Sequence, residues 1–448
     1  MTSVPGRQAP GLRGGARVAG RPSVLGRRSE RRPTPGPSGP GLASGLAPLG
    51  AAGSSAVTLD GLVASKEIVI ACGPGGVGKT TIAAATAAMA ALRHGGRVLV
   101  VTVDPARRLA DALGLSGPEG RGLGNTELRI PDEAFAGSAA HGRPRGELWA
   151  AMLDTKESWD SLVRRYAPDV PTRERILANP LYRNITGRFV QSHDYIAMER
   201  LYDLHAQGAY DLIVVDTAPT RNAIDFLDAP QRMAEFFSSR LLRWLTAPYR
   251  SRMVNLASKP FSQVADRILG TQFLEDIAEF FMLFQSMYGG FVERAGAVTR
   301  LLSDRRTTFL VVSTLEAAPV REAEFFAHAL ASRRLPLGAI VVNKALPSYF
   351  RDPDAAELAL RMRDGANSYA EKAAHELGTD PELTERVLFE VAESFLNFGV
   401  VARREAEEQA ELATQQSARP ELIATVPFFD DDIVDMAGLL RLGEVLWS

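Results

Sequence analysis

Short apolar runs rich in β-branched residues alternate with helix-like segments from about residue 66 onward. Six runs are continuously apolar (EIVIACG, RVLVVTVD, DLIVVDT, TTFLVVST, GAIVVNK and LIATVP), and ELWAAMLD is a weaker seventh. Strands of this kind are buried on both faces of a sheet, and the helices between them supply the crossovers of a parallel sheet. The pattern predicts an α/β fold with a doubly wound, mostly parallel sheet.

Three stretches between the predicted strands are too long for simple crossovers and have helical patterns: roughly 155–208, 222–305 and 345–418. We expect helical insertions there. In FLEDIAEFFMLFQSMYGGFV, apolar residues recur every three or four positions, which predicts one broad apolar helix face. We favour packing of this face in the core over a groove for a hydrophobic client, since such stripes usually bury against neighbouring elements. The face comprises Phe273, Ile277, Phe280, Phe281, Phe284 and Tyr288.

The first 62 residues differ in composition from the rest of the chain. They are rich in Arg, Pro and Gly, as in GRRSERRPTPGPSGPGLASG, and they have few apolar side chains to bury. We expect a disordered tail over 1–62 and one folded unit over 63–448. A start codon placed too early would explain the composition as well as disorder does, and a basic tail that binds nucleic acid or anionic lipid is the alternative to both.

The composition of the whole chain narrows the classes of function. The formal net charge of the 448 residues is −2, which gives no overall signature of nucleic-acid binding. Cys72 is the one cysteine, so an internal disulfide and a cysteine-rich metal site are excluded. We expect Cys72 to be a small buried residue rather than a reactive one. No apolar run reaches 18 residues, so we expect a cytoplasmic protein that meets a membrane at most peripherally.

The stretch IACGPGGVGKTT, residues 70–81, joins the first predicted strand to an alanine-rich helix. It has the G-x4-G-K-T spacing of a phosphate-binding loop, whose glycines let backbone N–H groups approach a phosphate chain at a helix N-terminus. With a strand before it and a helix after it, a chance glycine-rich turn is the much weaker interpretation. Lys79 should reach the β- and γ-phosphates of ATP and contribute to catalysis, and the Thr80 hydroxyl should bind Mg²⁺. The predicted nucleotide-binding residues here are Gly73, Gly75, Gly76, Val77, Gly78, Lys79, Thr80 and Thr81.

Two aspartates end later strands. Asp104, in VTVDPARRLADALGL, is a candidate for orienting or deprotonating the attacking water in phosphoryl transfer. It also has the sequence context of a helix cap with Pro105 as the first helical residue, and both roles can hold. Asp216, in LIVVDTAPTRNAIDFL, follows an apolar strand and precedes a proline-containing loop, where it would hold Mg²⁺ through water.

Taken in order, GPGGVGKTT, DPARRLADALG and DTAPTRNAIDFL resemble the ArsA-like ATPases, the family of the arsenite-pump ATPase and of the ATPase that targets tail-anchored membrane proteins. The resemblance covers residues 66 to about 345 and resumes at IATVPFFDDDIVDMAGL. It implies a P-loop ATPase of the deviant Walker A group, with Asp104 as the catalytic aspartate of the first switch and Asp216 in the second. Asn343 and Pro427 match the family's adenine-contacting positions.

The chain also departs from the family pattern. Pro74 replaces the lysine at the second loop position, and Arg221-Asn222 replaces a Gly-His pair. There is no C-x-x-C pair, so the zinc that bridges the targeting dimer would have no such ligands here. A cysteine cluster for arsenite is equally absent from a chain with one cysteine. The resemblance therefore implies an ATPase, whereas arsenite transport is disfavoured.

Three classes of function follow from the motifs and the resemblance. We favour a Mg-dependent, dimeric, nucleotide-gated ATPase that acts on a protein client. The client would be hydrophobic if the broad apolar helix face described above forms a groove. A slow nucleotide-dependent regulatory module is the second class. A partitioning or positioning ATPase is the third, and it would need a basic surface or a basic C-terminal helix, whereas MAGLLRLGEVLWS has one Arg and one Glu.

Pro74 bears on the dimer that the resemblance implies. In ArsA-like dimers the lysine at this position meets phosphate charge across the interface, and a homodimer of this chain would lack that cation on both sides. Either Arg107, Arg108 or Arg221 replaces it, or a second ArsA-like protein that retains the lysine pairs with this chain. We favour the heterodimer over the homodimer, because proline is not a conservative replacement for a charged side chain.

Overall fold

The structure is a computed structural model. It describes residues 58–103, 108–113, 115, 125–137, 142–183, 190–217, 228, 235, 279–283, 287–414 and 419–448. Most of the basic tail, the start of the first switch and much of the second long stretch lie outside the described residues.

Within the described ranges, eight strands form one sheet in the order β3-β4-β2-β5-β1-β6-β7-β8. Every neighbouring pair is parallel except β3 and β4, which are antiparallel at one edge. The fold is therefore the α/β, doubly wound, mostly parallel sheet that the apolar runs predict. The strands are β1 (Ile68–Cys72), β2 (Arg97–Thr102), β3 (Leu128–Arg129), β4 (Glu147–Met152), β5 (Leu212–Asp216), β6 (Thr307–Ser313), β7 (Leu337–Ala345) and β8 (Leu422–Pro427).

Helices cover both faces of the sheet and build a core on each side. Ile68 and Ile70 of β1 belong to one apolar cluster, and Val69 and Ala71 belong to the other, because successive strand residues point to opposite faces. The α-helices in the part of the chain that the structure describes are α1 (Leu59–Ala64), α2 (Lys79–Arg93), α3 (Arg108–Ala112), α4 (Thr155–Tyr166), α5 (Val170–Ala178), α6 (Val190–Gln207), α7 (Tyr288–Leu302), α8 (Ala317–Ser332), α9 (Pro353–Asp364), α10 (Ala366–Leu377), α11 (Pro381–Thr414) and α12 (Met436–Trp447).

The strand β3 is not predicted from the sequence. It has two residues, neither of them buried, so no apolar run marks it. On the apolar helix face predicted over Phe273 to Tyr288, Phe280 is buried and its ring lies 6.5 Å from that of Tyr182, as expected of a face packed in the core. Phe273, Ile277 and Phe284 lie outside the described residues, and the side chain of Tyr288 is not described.

The order of the strands brings several carboxyl ends together around β1. The chain moves from β1 towards β2 and β4 on one side, and later crosses to β6, β7 and β8 on the other. A reversal of this kind opens a crevice at the carboxyl ends of the central strands, where ligands of open α/β sheets bind. The glycine loop after β1 lies in this crevice.

Candidate nucleotide-binding site

The loop between β1 and α2 requires glycine at defined positions. Gly73, Gly76 and Gly78 have φ angles of +149°, +81° and +94°, a region that other residues rarely adopt. A Cβ atom on Gly73 would lie 2.0 Å from the backbone oxygen of Val312 in β6, whereas one on Gly76 would meet nothing within 4 Å. The loop is thus pressed against the sheet at its start and open to the crevice at its middle.

Lys79 begins α2 and is 7% exposed, and its ammonium group lies within the loop. Lys79 Nζ donates a hydrogen bond of 2.7 Å to the carbonyl oxygen of Pro74. Pro74 therefore still takes part in the loop, through its backbone oxygen rather than through a side chain. Cys72, at the end of β1, is buried, and burial raises the pKa of its thiol far above the usual range despite the nearby Lys79 charge. It is an inert core residue, as expected from the sequence.

Thr80 and Asp216 meet at the carboxyl ends of β1 and β5. Thr80 Oγ1 donates to Asp216 Oδ2 over 2.8 Å, and Thr102 Oγ1 donates to the same oxygen over 2.9 Å. Asp216 is fully buried, so these charge-assisted hydrogen bonds compensate for the lost hydration of its carboxylate. A hydroxyl and a carboxylate oxygen side by side form a hard donor set that suits Mg²⁺, which prefers few protein ligands together with water and phosphate oxygens.

The next residue ties the ends of β1 and β5 together. Thr217 donates to the carbonyl oxygen of Ala71 both through its backbone N–H, over 3.2 Å, and through its hydroxyl, over 2.9 Å. The carboxylate of Asp216 is thus held at a fixed level relative to the loop that begins two residues after Ala71.

Asn343 connects the far side of the crevice to the loop. The pairing of β7 with β8 shifts register between Val342 and Ala345, and Lys344 within this irregularity has a φ of +60°. The shift places the buried Asn343 amide against the loop, where Nδ2 donates to the carbonyl oxygen of Val77 over 2.8 Å. Asn343 therefore supports the loop backbone. The adenine contact that the resemblance implies for it stays a prediction.

An open cleft of about 740 Å³ lies over the loop and the ends of β7 and β8. Phe428 stands half-exposed beside Pro427 at one end of it, a suitable platform for a planar base. Asp216 and Val77 are buried beneath the cleft rather than lining it. Of the residues predicted from the sequence, Gly75, Gly76, Gly78, Lys79, Thr80, Thr81, Asn343 and Pro427 all line this cleft.

Three residues at the site, Thr102, Lys344 and Phe428, are not predicted from the sequence. Thr102 is the last residue of β2 and pairs with Asp216 across the sheet, a neighbour relation that depends on strand order. Lys344 and Phe428 directly follow Asn343 and Pro427 in the chain. Their position next to the predicted adenine contacts is the feature of the sequence that could have identified them.

The first switch and part of the second fall outside the described residues. Asp104, Arg107 and the Arg221-Asn222 pair lie there, and α3 begins at Arg108, whose side chain is not described. The catalytic role of Asp104 and the cation that substitutes for the missing lysine therefore stay predictions.

Comparison with known proteins agrees with the motifs. The family model described as an anion-transporting ATPase, ArsA type, matches residues 66–366. An uncharacterized protein of Streptomyces coelicolor is 28% identical over 320 residues, which cover 70% of this chain and 72% of that protein. The ATPase ASNA1 homolog 1 of Paramecium tetraurelia is 23% identical over 61% of this chain and 73% of its own.

A protein of Prosthecochloris vibrioformis, provisionally named an arsenical pump-driving ATPase, is 27% identical, and the match covers 45% of this chain and 44% of that protein. Among the described residues, no helix is both long and apolar enough to cross a membrane. The family model matches two thirds of the chain, and the glycine loop, the strand order and the motifs agree with it. The chain therefore belongs to the anion-transporting ATPase family, and it is a P-loop ATPase with ArsA-like motifs.

Proposed function

We propose that the chain binds Mg-ATP in the cleft over the loop, and that two protomers face each other across this edge and act on a protein client in the cytoplasm. One observation carries the nucleotide site: the Thr80 hydroxyl and the buried Asp216 carboxylate lie 2.8 Å apart at the end of a loop that also holds the ammonium group of Lys79, 2.7 Å from the Pro74 carbonyl oxygen. A divalent cation and a phosphate chain need this combination of oxygen ligands and positive charge.

Each residue has a distinct part in this proposal. Backbone N–H groups from Gly76 to Thr81 bind the phosphate oxygens at the start of α2. Lys79 leaves the Pro74 carbonyl to meet the β- and γ-phosphates, and Thr80 and Asp216 hold Mg²⁺, which neutralises phosphate charge when bound. Asp104 orients or deprotonates the attacking water. Asn343, Pro427 and the neighbouring ring contact the adenine.

Two protomers and a client are proposed by analogy with the family, since such ATPases couple nucleotide state to a larger movement. Both the ATPase ASNA1 homolog and the arsenical pump-driving ATPase are relatives in sequence. A single cysteine cannot form a cysteine cluster for arsenite, which favours a protein client over an oxyanion.

The Asp104→Asn variant separates this proposal from a slow regulatory module. We expect the affinity for Mg-ATP to stay near the wild-type value and turnover to fall at least about a hundredfold, the usual scale for losing a positioned base. Calorimetry and a steady-state phosphate-release assay measure the two quantities. A wild-type chain that binds ATP without turnover would favour the regulatory module, and wild-type turnover in Asp104→Asn would leave Asp104 only its helix-capping role.

A second experiment concerns the cation missing at Pro74. If a partner that retains the family lysine supplies it, the purified chain has weak ATPase activity, and adding the partner stimulates it strongly unless that lysine becomes alanine. If the cation comes from within, the pure homodimer is fully active, and Arg107→Ala, Arg108→Ala or Arg221→Ala abolishes that activity. The two arrangements therefore give opposite results with the same assay.

A further inference from the structure

The irregular end of β7 connects three parts of the proposed nucleotide site. Asn343 Nδ2 donates to the carbonyl oxygen of Val77 in the loop over 2.8 Å, and the next residue, Lys344, lines the cleft. The carbonyl oxygen of Ala345 accepts a hydrogen bond of 2.9 Å from the backbone N–H of Phe428, the aromatic platform. The loop contact, the cleft wall and the aromatic platform therefore depend on the same short stretch of backbone.

This stretch of backbone is held in an unfavourable conformation. Lys344 has a φ of +60°, in the left-handed region that residues other than glycine adopt uncommonly. Such a conformation persists where the surrounding contacts fix the path of the chain. The hydrogen bond of Asn343 to the loop fixes that path on one side. On the other side, the backbone N–H of Leu346 donates to Glu405 Oε2 over 2.8 Å.

Glu405 is positioned by the packing of α11 against the neighbouring segments. Before it in the helix, two phenylalanine rings lie 5.3 and 5.2 Å from the ring of Phe350, which follows β7. After it, Gln409 Nε2 donates to the Thr425 hydroxyl of β8 over 2.8 Å. The helix is therefore fixed on both sides of Glu405, so the carboxylate meets the end of β7 from a rigid support. The two rings are those of Phe395 and Phe398.

We propose that Glu405 is a positioning residue for the base of the bound nucleotide. Glu405 does not line the cleft that the described residues form, so it acts through the Leu346 backbone rather than through contact with the nucleotide. Its hydrogen bond keeps the left-handed path at Lys344, and that path determines where Asn343 and Phe428 lie. This role rests on the nucleotide site proposed above, and it adds a residue outside the cleft that determines how well the base fits.

The phosphate end of the site has its own supports. The loop leads directly into α2, and Lys79 Nζ donates to the Pro74 carbonyl oxygen. Thr80 donates to Asp216 of β5. These contacts involve neither β7 nor α11. Loss of the Glu405 hydrogen bond should therefore weaken the binding of the base and leave that of the phosphates nearly unchanged, which separates positioning of the base from general support of the fold.

Three substitutions of Glu405 separate its reach from its charge. Glu405→Gln keeps an oxygen acceptor at the same reach but removes the charge. Glu405→Asp keeps the charge but is shorter by one carbon–carbon bond, about 1.5 Å, so its oxygen stops short of hydrogen-bonding distance. Glu405→Ala removes both. Gln409→Ala is the matched control, because it removes a hydrogen bond from the same helix to β8 and leaves the end of β7 untouched.

Calorimetric titration of the full chain measures the affinity for Mg-ATP. Inorganic tripolyphosphate has the phosphates without the base, and its affinity is measured by competition with Mg-ATP. We expect Glu405→Asp and Glu405→Ala to raise the dissociation constant of Mg-ATP about tenfold, the scale of one hydrogen bond, whereas Glu405→Gln and Gln409→Ala stay within about threefold of the wild type. The affinity for tripolyphosphate with Mg²⁺ should stay within about twofold in all four variants. Urea unfolding curves verify that each variant is folded.

Equal losses of affinity for Mg-ATP and for tripolyphosphate in Glu405→Asp would overturn this role, because the residue would then support the whole site. It is also overturned if Glu405→Asp binds Mg-ATP like the wild type, or if Glu405→Gln is as weak as Glu405→Asp. Where tripolyphosphate competes too weakly for measurement, the order of the Mg-ATP affinities among the variants decides in the same way. A wild-type chain that does not bind Mg-ATP would refute the nucleotide site itself, whereas unaffected variants of a chain that binds Mg-ATP would refute only the role of Glu405.

Discussion

Two threonine hydroxyls donate to the same carboxylate oxygen, and the proposed site gives them different roles. Thr80 Oγ1 lies 2.8 Å and Thr102 Oγ1 lies 2.9 Å from Asp216 Oδ2. Thr80 lines the cleft, whereas Thr102 is buried at the end of β2. Valine has nearly the same shape as threonine and removes only the hydroxyl. Thr80→Val and Thr102→Val are therefore matched perturbations of one carboxylate.

The two variants should lose similar stability but different affinity. A hydrogen bond to a charged group contributes about 1.5–3 kcal/mol, so each substitution should lower the free energy of unfolding by about that amount. Thr80→Val also removes an oxygen ligand of Mg²⁺. We expect its Mg-ATP affinity to fall at least about a hundredfold, or about 2.7 kcal/mol, whereas Thr102→Val should stay within about fivefold of the wild type.

Urea unfolding without nucleotide measures the free energy of unfolding of each variant. Calorimetric titration with ATP measures the affinity, once with Mg²⁺ and once with a chelator present. In the chelator the two variants should bind ATP alike, because the Thr80 ligand then has no cation to hold. Equal losses of Mg-ATP affinity in both variants would refute the reasoning, as would a Thr80→Val variant that binds Mg-ATP like the wild type.

Further predictions concern the loop, the Asn343 contact to it and the strand that precedes it. Gly73→Ala should lower the free energy of unfolding by at least about 3 kcal/mol in urea, because its Cβ would meet backbone, whereas Gly76→Ala should cost only about 1–2 kcal/mol of left-handed strain. Asn343→Asp should weaken ATP binding about tenfold in calorimetry, since a carboxylate then faces the Val77 carbonyl oxygen. Cys72 should not react with a thiol reagent at pH 8 until urea unfolds the chain, because burial raises its pKa.

Much of the fold can be predicted from the sequence, because buried strands and the glycine loop depend on residues close together in the chain. The runs that form β1 and β5 are apolar at nearly every position, β6 has an apolar centre between hydroxyl residues, and each of the three is buried along its whole length. The glycine loop is equally local, since positive φ angles and a close backbone approach demand particular residues at particular places. Even the weaker run over Glu147–Met152 forms a strand, β4.

Contacts between residues that are far apart in the sequence could not be predicted in the same way. Thr102 meets Asp216 because β2 and β5 are neighbours, and strand order cannot be read from a run of apolar residues. Asn343 supports the loop because a register shift in β7 turns it there, a local irregularity that no propensity marks. The apolar residues of α11 have ordinary helical spacing, and nothing in the sequence indicates that several of them, such as Val391, are exposed.

The most direct test of the nucleotide site is calorimetric titration of Lys79→Ala with Mg-ATP. The ammonium group of Lys79 lies inside the loop, 2.7 Å from the Pro74 carbonyl oxygen, and the proposal assigns it to the β- and γ-phosphates. We predict that the variant, folded as judged by its unfolding curve in urea, loses both ATP binding and hydrolysis. Undiminished ATP affinity in a folded Lys79→Ala chain would contradict the assignment of this loop as the phosphate-binding site.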